Sequence, residues 1–194
     1  MQQKDNVKDR QLMQGAVKDP ACLAALVERY SGPLLAFVFR YVGDRETAED
    51  IVQETFLRAL RHRRKLGGIR YVSTWFYTIA ANMAKSELRR RKRWRQEALV
   101  EDEGHVELVD FGAKPDQQTD TWHVHREVVK AIGKLPEKFR EALLLRDLSE
   151  LSYGEIAEVL DCPEGTIKSR VSRGRRRLQE LLRPLAGEVL GLAS

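Results

Sequence analysis

Residues that interrupt helices or lock a fold covalently are scarce in this chain. Six Pro and 13 Gly in 194 residues, beside 42% hydrophobic and 32% charged residues, argue against a turn-rich β fold and for helical packing around a buried core. The two cysteines, Cys22 and Cys162, stand far apart and outside any CxxC pair or spaced Cys/His set. That excludes a disulfide framework and a thiolate zinc site and leaves two reduced, structural thiols as the expectation. No uninterrupted apolar run reaches the roughly 18 residues of a membrane span, and the polar start MQQKDNVKDRQ lacks the apolar core of a signal peptide. A cytoplasmic protein without membrane insertion is expected. The nearest approach to a metal motif is His123 with His125, but residues two apart on a helix project about 200° from each other and do not easily share an ion. No enzyme is expected: no catalytic residues, metal, cofactor or small-molecule substrate.

What is present is strongly patterned charge. The formal net charge of +5 permits binding to a polyanion, and its distribution says more than its sum. A weak amphipathic helix is predicted over 5–18, ending before Asp19-Pro20, where Asp19 caps a second helix. Pro33 is expected to restart a third through LLAFVFRYV, and Gly43-Asp44 to end it. From Asp44, the stretch DRETAEDIVQETFLRALRH sets Ala48, Ile51, Val52, Thr55, Phe56 and Ala59 on one side, with Glu49, Asp50, Gln53, Glu54 and Arg58 largely elsewhere. After a basic glycine-containing loop, KLGGIR, one long helix is predicted over VSTWFYTIAANMAKSELRRRKRWR, capped by Ser73 or Thr74. Between Gln96 and Thr121 eight acids face a single Lys114 with no lasting apolar period. The expected organisation is all-α: two small helical domains, 1–95 and 122–187, joined by a flexible acidic linker over 96–121.

In the second domain Val124, Val128, Ala131, Ile132 and Leu135 recur at helical steps, and Pro136 is expected to open a helix carrying Phe139, Ala142, Leu143 and Leu145. Ser152-Tyr153-Gly154-Glu155 has the capping-box form, so a helix should begin at Tyr153. Asp161-Cys162 breaks it, and Pro163 opens another with Ile167, Val171, Gly174 and Leu178 along one stripe. Its other side carries Thr166, Lys168, Ser169, Arg170 and Arg173, continuing into Arg175, Arg176 and Arg177. A short helix, a tight turn and a longer cationic helix together favour duplex DNA binding over a merely solvated basic helix.

The long helix of the first domain ends in a second cation cluster: Lys85, Arg89, Arg90, Arg91, Lys92, Arg93 and Arg95, with Tyr71, Trp75, Phe76 and Tyr77 upstream. Cations near aromatics suit single-stranded or melting DNA, because bases stack on rings while guanidinium and ammonium groups neutralise the backbone. For Trp75 and Phe76 burial in the core is the simpler reading.

Three segments in this order, YVGDRETAEDIVQETFLRAL, STWFYTIAANMAKSELRRRKR and LPEKFREALLLRDLSELSYGEIAEVLDCPEGTIKSRVSRGRRRLQELL, resemble the sigma-two and sigma-four domains of extracytoplasmic-function sigma factors. The resemblance implies binding to RNA polymerase core (β and β′ subunits) and to promoter DNA, with control by an anti-sigma factor. It carries core docking onto Asp50, Gln53, Glu54 and Leu57. It carries recognition of the minus-ten element, with a flipped base, onto Tyr71, Trp75, Asn82, Lys85, Arg89, Arg90 and Arg93. It carries the minus-thirty-five element onto Glu164, Thr166, Lys168, Ser169, Arg170, Arg173 and Arg176. Two rivals stand beside this reading: a decoy that only sequesters an anti-sigma factor, and a helix-turn-helix regulator that acts without polymerase.

Overall fold

Charged, alternating-face segments with few breakers fold here as helices: α1 (Gln2–Gly15), α2 (Pro20–Val42), α3 (Arg45–Arg61), α4 (Val72–Ala98), α5 (Asp120–Lys134), α6 (Glu137–Leu143), α7 (Tyr153–Leu160) and α8 (Glu164–Leu190). A π-helical turn, Leu144–Leu148, continues α6. The computed structural model describes residues 2–16, 18–62, 71–98 and 120–190, with side chains for 6–16, 18–62, 71–94 and 127–183; no strand occurs among them. The KLGGIR loop, linker residues 99–119 and the His123 and His125 side chains lie outside the described residues.

The helix boundaries follow from local chemistry. Asp19, in extended backbone, accepts a hydrogen bond from the Ala21 amide at 2.9 Å and starts α2. Gly43 ends it at φ 77, donating its amide to the Phe39 carbonyl; the absence of a Cβ makes this left-handed turn inexpensive. Asp44 then caps α3 by accepting from the Thr47 amide at 2.9 Å. Two expectations fail. Pro33 does not restart a helix, because α2 runs through it; buried Leu34, Phe37, Val38 and Tyr41 beyond it hold the continuation against the N–H that proline lacks. Neither Ser73 nor Thr74 caps α4. The Thr74 hydroxyl donates to the Tyr71 carbonyl, and the Val72 amide is met by Asn6 Oδ1 at 3.2 Å, from α1.

Helices α1 to α4 enclose Met13, Leu26, Phe37, Ala48, Phe56, Phe76 and Ala80, all buried. Phe76 sits 5.0 Å from Tyr30 and 5.2 Å from Phe56 between ring centroids, and each large apolar side chain so enclosed stabilises the fold by roughly 1.5–3 kcal/mol. All six residues expected on the inner face of α3 are buried. Helix α2 is long and apolar enough to cross a membrane by length and composition, yet here its buried residues form the centre of the bundle. Asp9 of α1 is buried and fully partnered, accepting from Arg29 Nη1 at 2.7 Å and from the Tyr30 hydroxyl. Burial, reinforced by Asp9, pushes the Tyr30 phenol far above its usual range.

Helices α5 to α8 pack around Ile132, Leu135, Phe139, Leu145, Ile156, Ile167 and Val171. At Gly174 α8 runs close to α6: a Cβ there would lie 3.3 Å from the Phe139 carbonyl oxygen, a tight contact that a larger residue would meet only by a small shift. The two helical groups share one continuous core, with α2 against α5 and the π-turn and α4 against α7.

Candidate nucleic-acid interfaces

The capping box exists as expected. Glu155 N donates to Ser152 Oγ at 3.3 Å, and Ser152 N donates to Glu155 Oε2 at 2.8 Å, so α7 begins at Tyr153. Asp161, at φ 47 and ψ 56, makes the turn, and α8 leaves it with Ile167, Val171 and Gly174 inward. Glu164, Lys168, Ser169, Arg173 and Arg176 are exposed and Thr166 and Arg170 half-buried. These seven residues line the outer side of one helix. Within it Lys168 pairs with Glu164 at 2.8 Å and lies 5.7 Å from the Tyr153 ring. Arg175 pairs with Asp147, and Arg177 lies over Phe139 at 5.0 Å, so both are tied to the scaffold. Arg170, Arg173 and Arg176 have no ion-pair partner among the described residues.

The basic end of α4 divides into structural and available cations, which sequence alone did not separate. Arg91 is structural: its guanidinium donates to Glu87 Oε1 at 2.8 Å, to Thr47 Oγ1 at 2.6 Å and to the Val42 carbonyl at 3.3 Å, and it meets Asp44 at 3.4 Å. Burial alone would raise the Asp44 carboxyl, but hydrogen bonds from Thr47 and the charge and hydrogen bond of Arg91 outweigh it and hold the pKa below its ordinary value. Arg90 pairs with Glu87 at 2.8 Å and remains exposed. Asn82, Arg89, Lys92 and Arg93 are exposed, whereas Tyr71 and Trp75 are half-buried and Trp75 packs on the core. Trp94, not singled out from the sequence, is 65% exposed beside Arg93; its signal was an aromatic outside the apolar stretch of its helix.

On α3 the outer face presents Asp50, Gln53 and Leu57 to solvent, Leu57 at 48% exposure, with Glu54 half-buried. Arg58 and Arg61 approach Glu54 at 2.8 and 3.6 Å. The hydrogen bond from Arg58, only partly opposed by desolvation, lowers the Glu54 pKa.

Two separate cationic helices, one of them in a capped helix-turn-helix, are the arrangement of a DNA-binding protein. Residues 26–94 match the family described as Sigma-70 region 2, and residues 125–178 match Sigma-70, region 4. The RNA polymerase sigma-H factor of Pseudomonas aeruginosa is 35% identical over 93% of this chain and 97% of its own length. The ECF RNA polymerase sigma factor SigW of Bacillus subtilis is 33% identical over 86% and 92%. The solved sigma factor RpoE from Bartonella quintana, in complex with the anti-sigma factor NepR, superposes with a TM-score of 0.67 at 31% identity, covering 82% of this chain and 96% of that one. The chain belongs to the extracytoplasmic-function (ECF) sigma factors of the sigma-70 family, which direct promoter-specific initiation by RNA polymerase.

Proposed function

We propose that α3 docks on core polymerase through Asp50, Gln53, Glu54 and Leu57 and that α8 reads the minus-thirty-five element through Glu164, Thr166, Lys168, Ser169, Arg170, Arg173 and Arg176. The basic end of α4, with Tyr71, Trp75, Asn82, Lys85, Arg89, Arg90 and Arg93, engages the opening minus-ten strand. The single observation that carries this is the pair of cationic helices, each inside a segment that matches a sigma-70 region. Three exposed or half-exposed arginines on α8 lack ion-pair partners among the described residues, and phosphates would supply them. Residues 1–95 act as the minus-ten and core-binding domain, 122–187 as the minus-thirty-five domain and 96–121 as the linker. The protein acts in the cytoplasm and performs no chemistry of its own. An anti-sigma factor controls it, as the relative solved with NepR suggests.

The test is transcription by purified core polymerase on sheared genomic DNA with and without the protein, mapping the new starts. New starts that share two upstream motifs support the reading. Core binding without new starts favours the decoy, and DNA binding without core binding favours a plain regulator. Glu54→Lys, which reverses charge on the outer face of α3, is expected to weaken core binding at unchanged helicity; normal holoenzyme assembly would remove α3 from that role.

A further inference from the structure

Helix α1 lies before residue 26, where the match to Sigma-70 region 2 begins, and so stands outside the segment that carries minus-ten reading and core docking. It is nevertheless built into the first domain. Met13 is fully buried, and Asp9, only 1% exposed, accepts from Arg29 Nη1 at 2.7 Å and from the Tyr30 hydroxyl. Tyr30 in turn packs on Phe76, near the start of α4, with ring centroids 5.0 Å apart. Fixed in this way, α1 presents Asn6 about one turn before Asp9, and Asn6 Oδ1 accepts from the Val72 amide at 3.2 Å. That amide is the first of α4, among those a helix cannot pair within itself. Such groups are ordinarily met by a short acceptor side chain immediately upstream. Here the upstream position is held by Tyr71, whose long phenolic side chain is not of that kind, and α1 supplies the acceptor instead. The Tyr71 carbonyl is bound into the same helix start, accepting from the Thr74 hydroxyl at 2.8 Å and the Trp75 amide at 3.4 Å. Its side chain is half-buried and borders a cavity of about 500 Å³ that Asn6, Asp9 and Ser73 also line, so close packing does not fix it on that side.

We infer that Asn6 is a positioning residue for minus-ten recognition: it caps α4 from α1, fixes the backbone on which Tyr71 sits, and so holds the Tyr71 side chain ready for the opening strand. The inference rests on the assignment of Tyr71 to that strand. The physical reason for a cap from elsewhere in the chain is that one position cannot serve both ends. A short acceptor at residue 71 would close α4 but leave no aromatic for a base, whereas an aromatic there leaves the first amide to be met by another element. Without Asn6 the first turn of α4 frays, and Tyr71 samples positions in which it does not meet the strand; recognition then falls with the fraction of molecules correctly placed.

The experiment uses holoenzyme assembled from core polymerase and the full chain, with a promoter taken from the mapped starts. The DNA is a fork-junction fragment whose minus-ten non-template strand is single-stranded, and discrimination is the ratio of its affinity to that of a fragment with the minus-ten bases replaced. This ratio cancels any uniform change of charge or of core binding. Tyr71→Ala should lower discrimination about tenfold, as loss of an aromatic that meets a base does. Asn6→Ala should lower it about fivefold, the factor that loss of one helix cap carries. Asn6→Asp, which keeps the acceptor, should restore it. In the double variant the loss should equal that of Tyr71→Ala alone, because Asn6 acts through that side chain. Binding of a duplex minus-thirty-five fragment should be the same in all of them. Asp9 and Met13 keep α1 docked, so Asn6→Ala should retain its helicity by circular dichroism; if it does not, the near-isosteric Asn6→Leu makes the same test. Loss of discrimination in Tyr71→Ala but not in Asn6→Ala overturns the inference alone, as do losses that add in the double variant. Full discrimination in Tyr71→Ala removes Tyr71 from the minus-ten surface, and no discrimination by the wild type removes the minus-ten reading itself; either result takes the role of Asn6 with it.

Discussion

Arg91 and Arg93, two positions apart on the same basic helix, are expected to fail in opposite ways when replaced by alanine. Arg91 is 26% exposed, and its partners Asp44 and Glu87 are 24% and 14% exposed. Its two short contacts, to Glu87 at 2.8 Å and Thr47 at 2.6 Å, tie α4 to the start of α3 and to its own preceding turn. Hydrogen bonds to a charged group contribute about 1.5–3 kcal/mol each. Partial exposure reduces this, and after substitution Asp44 keeps the Thr47 amide and Glu87 keeps Arg90, so no carboxylate is orphaned. The expected loss is about 2–3 kcal/mol, or a fall in Tm of roughly 5–10 °C for a chain of this size. Arg93→Ala should stay within about 0.5 kcal/mol of wild type while lowering the salt dependence of single-stranded DNA binding by about 0.7 in log–log slope. Thermal denaturation by circular dichroism and anisotropy at several salt concentrations measure both. If Arg91→Ala leaves Tm unchanged but weakens DNA binding, the division of these cations into structural and DNA-binding sets is wrong.

Arg173→Ala should weaken duplex minus-thirty-five binding and flatten its salt dependence by about one phosphate contact; an unchanged slope in a salt titration removes Arg173 from that surface. Ser152→Ala removes the serine half of the capping box and should cost about 1 kcal/mol, read as a lower midpoint in urea denaturation. Asp44 and Glu87 both ionise below their ordinary values in the folded protein. For Asp44, burial opposes the shift and hydrogen bonds from Thr47 and Arg91 outweigh it; for Glu87 the hydrogen bond from Arg90 leads. Their stabilisation is therefore complete above the unfolded carboxylate range, about pH 4, and is lost as pH falls through the lower folded values. Tm should be level between pH 7 and 5 and decline below 4, and Arg91→Ala should make that decline shallower.

Much of this protein is decided locally and can be read from the chain. The buried face of α3, the Asp19 and Asp44 caps, the Ser152–Glu155 box and the inward stripe of Ile167, Val171 and Gly174 depend on residues within a turn or two of each other, where spacing fixes geometry. The cationic outer side of α8 is legible for the same reason. The tertiary structure decided what depends on distant partners. Asn6 meets the first amide of α4 from 66 residues away, which no reading of Ser73 and Thr74 reveals. Pro33 sits within a helix because packing beyond it outweighs one lost backbone bond. Seven cations of the α4 end look alike in sequence, yet Arg91 is held by Thr47 and Asp44 and Lys85 by Glu141, 56 residues further along the chain. Charge is written in the sequence; whether a charge is available is set by what the fold brings within about 3 Å of it.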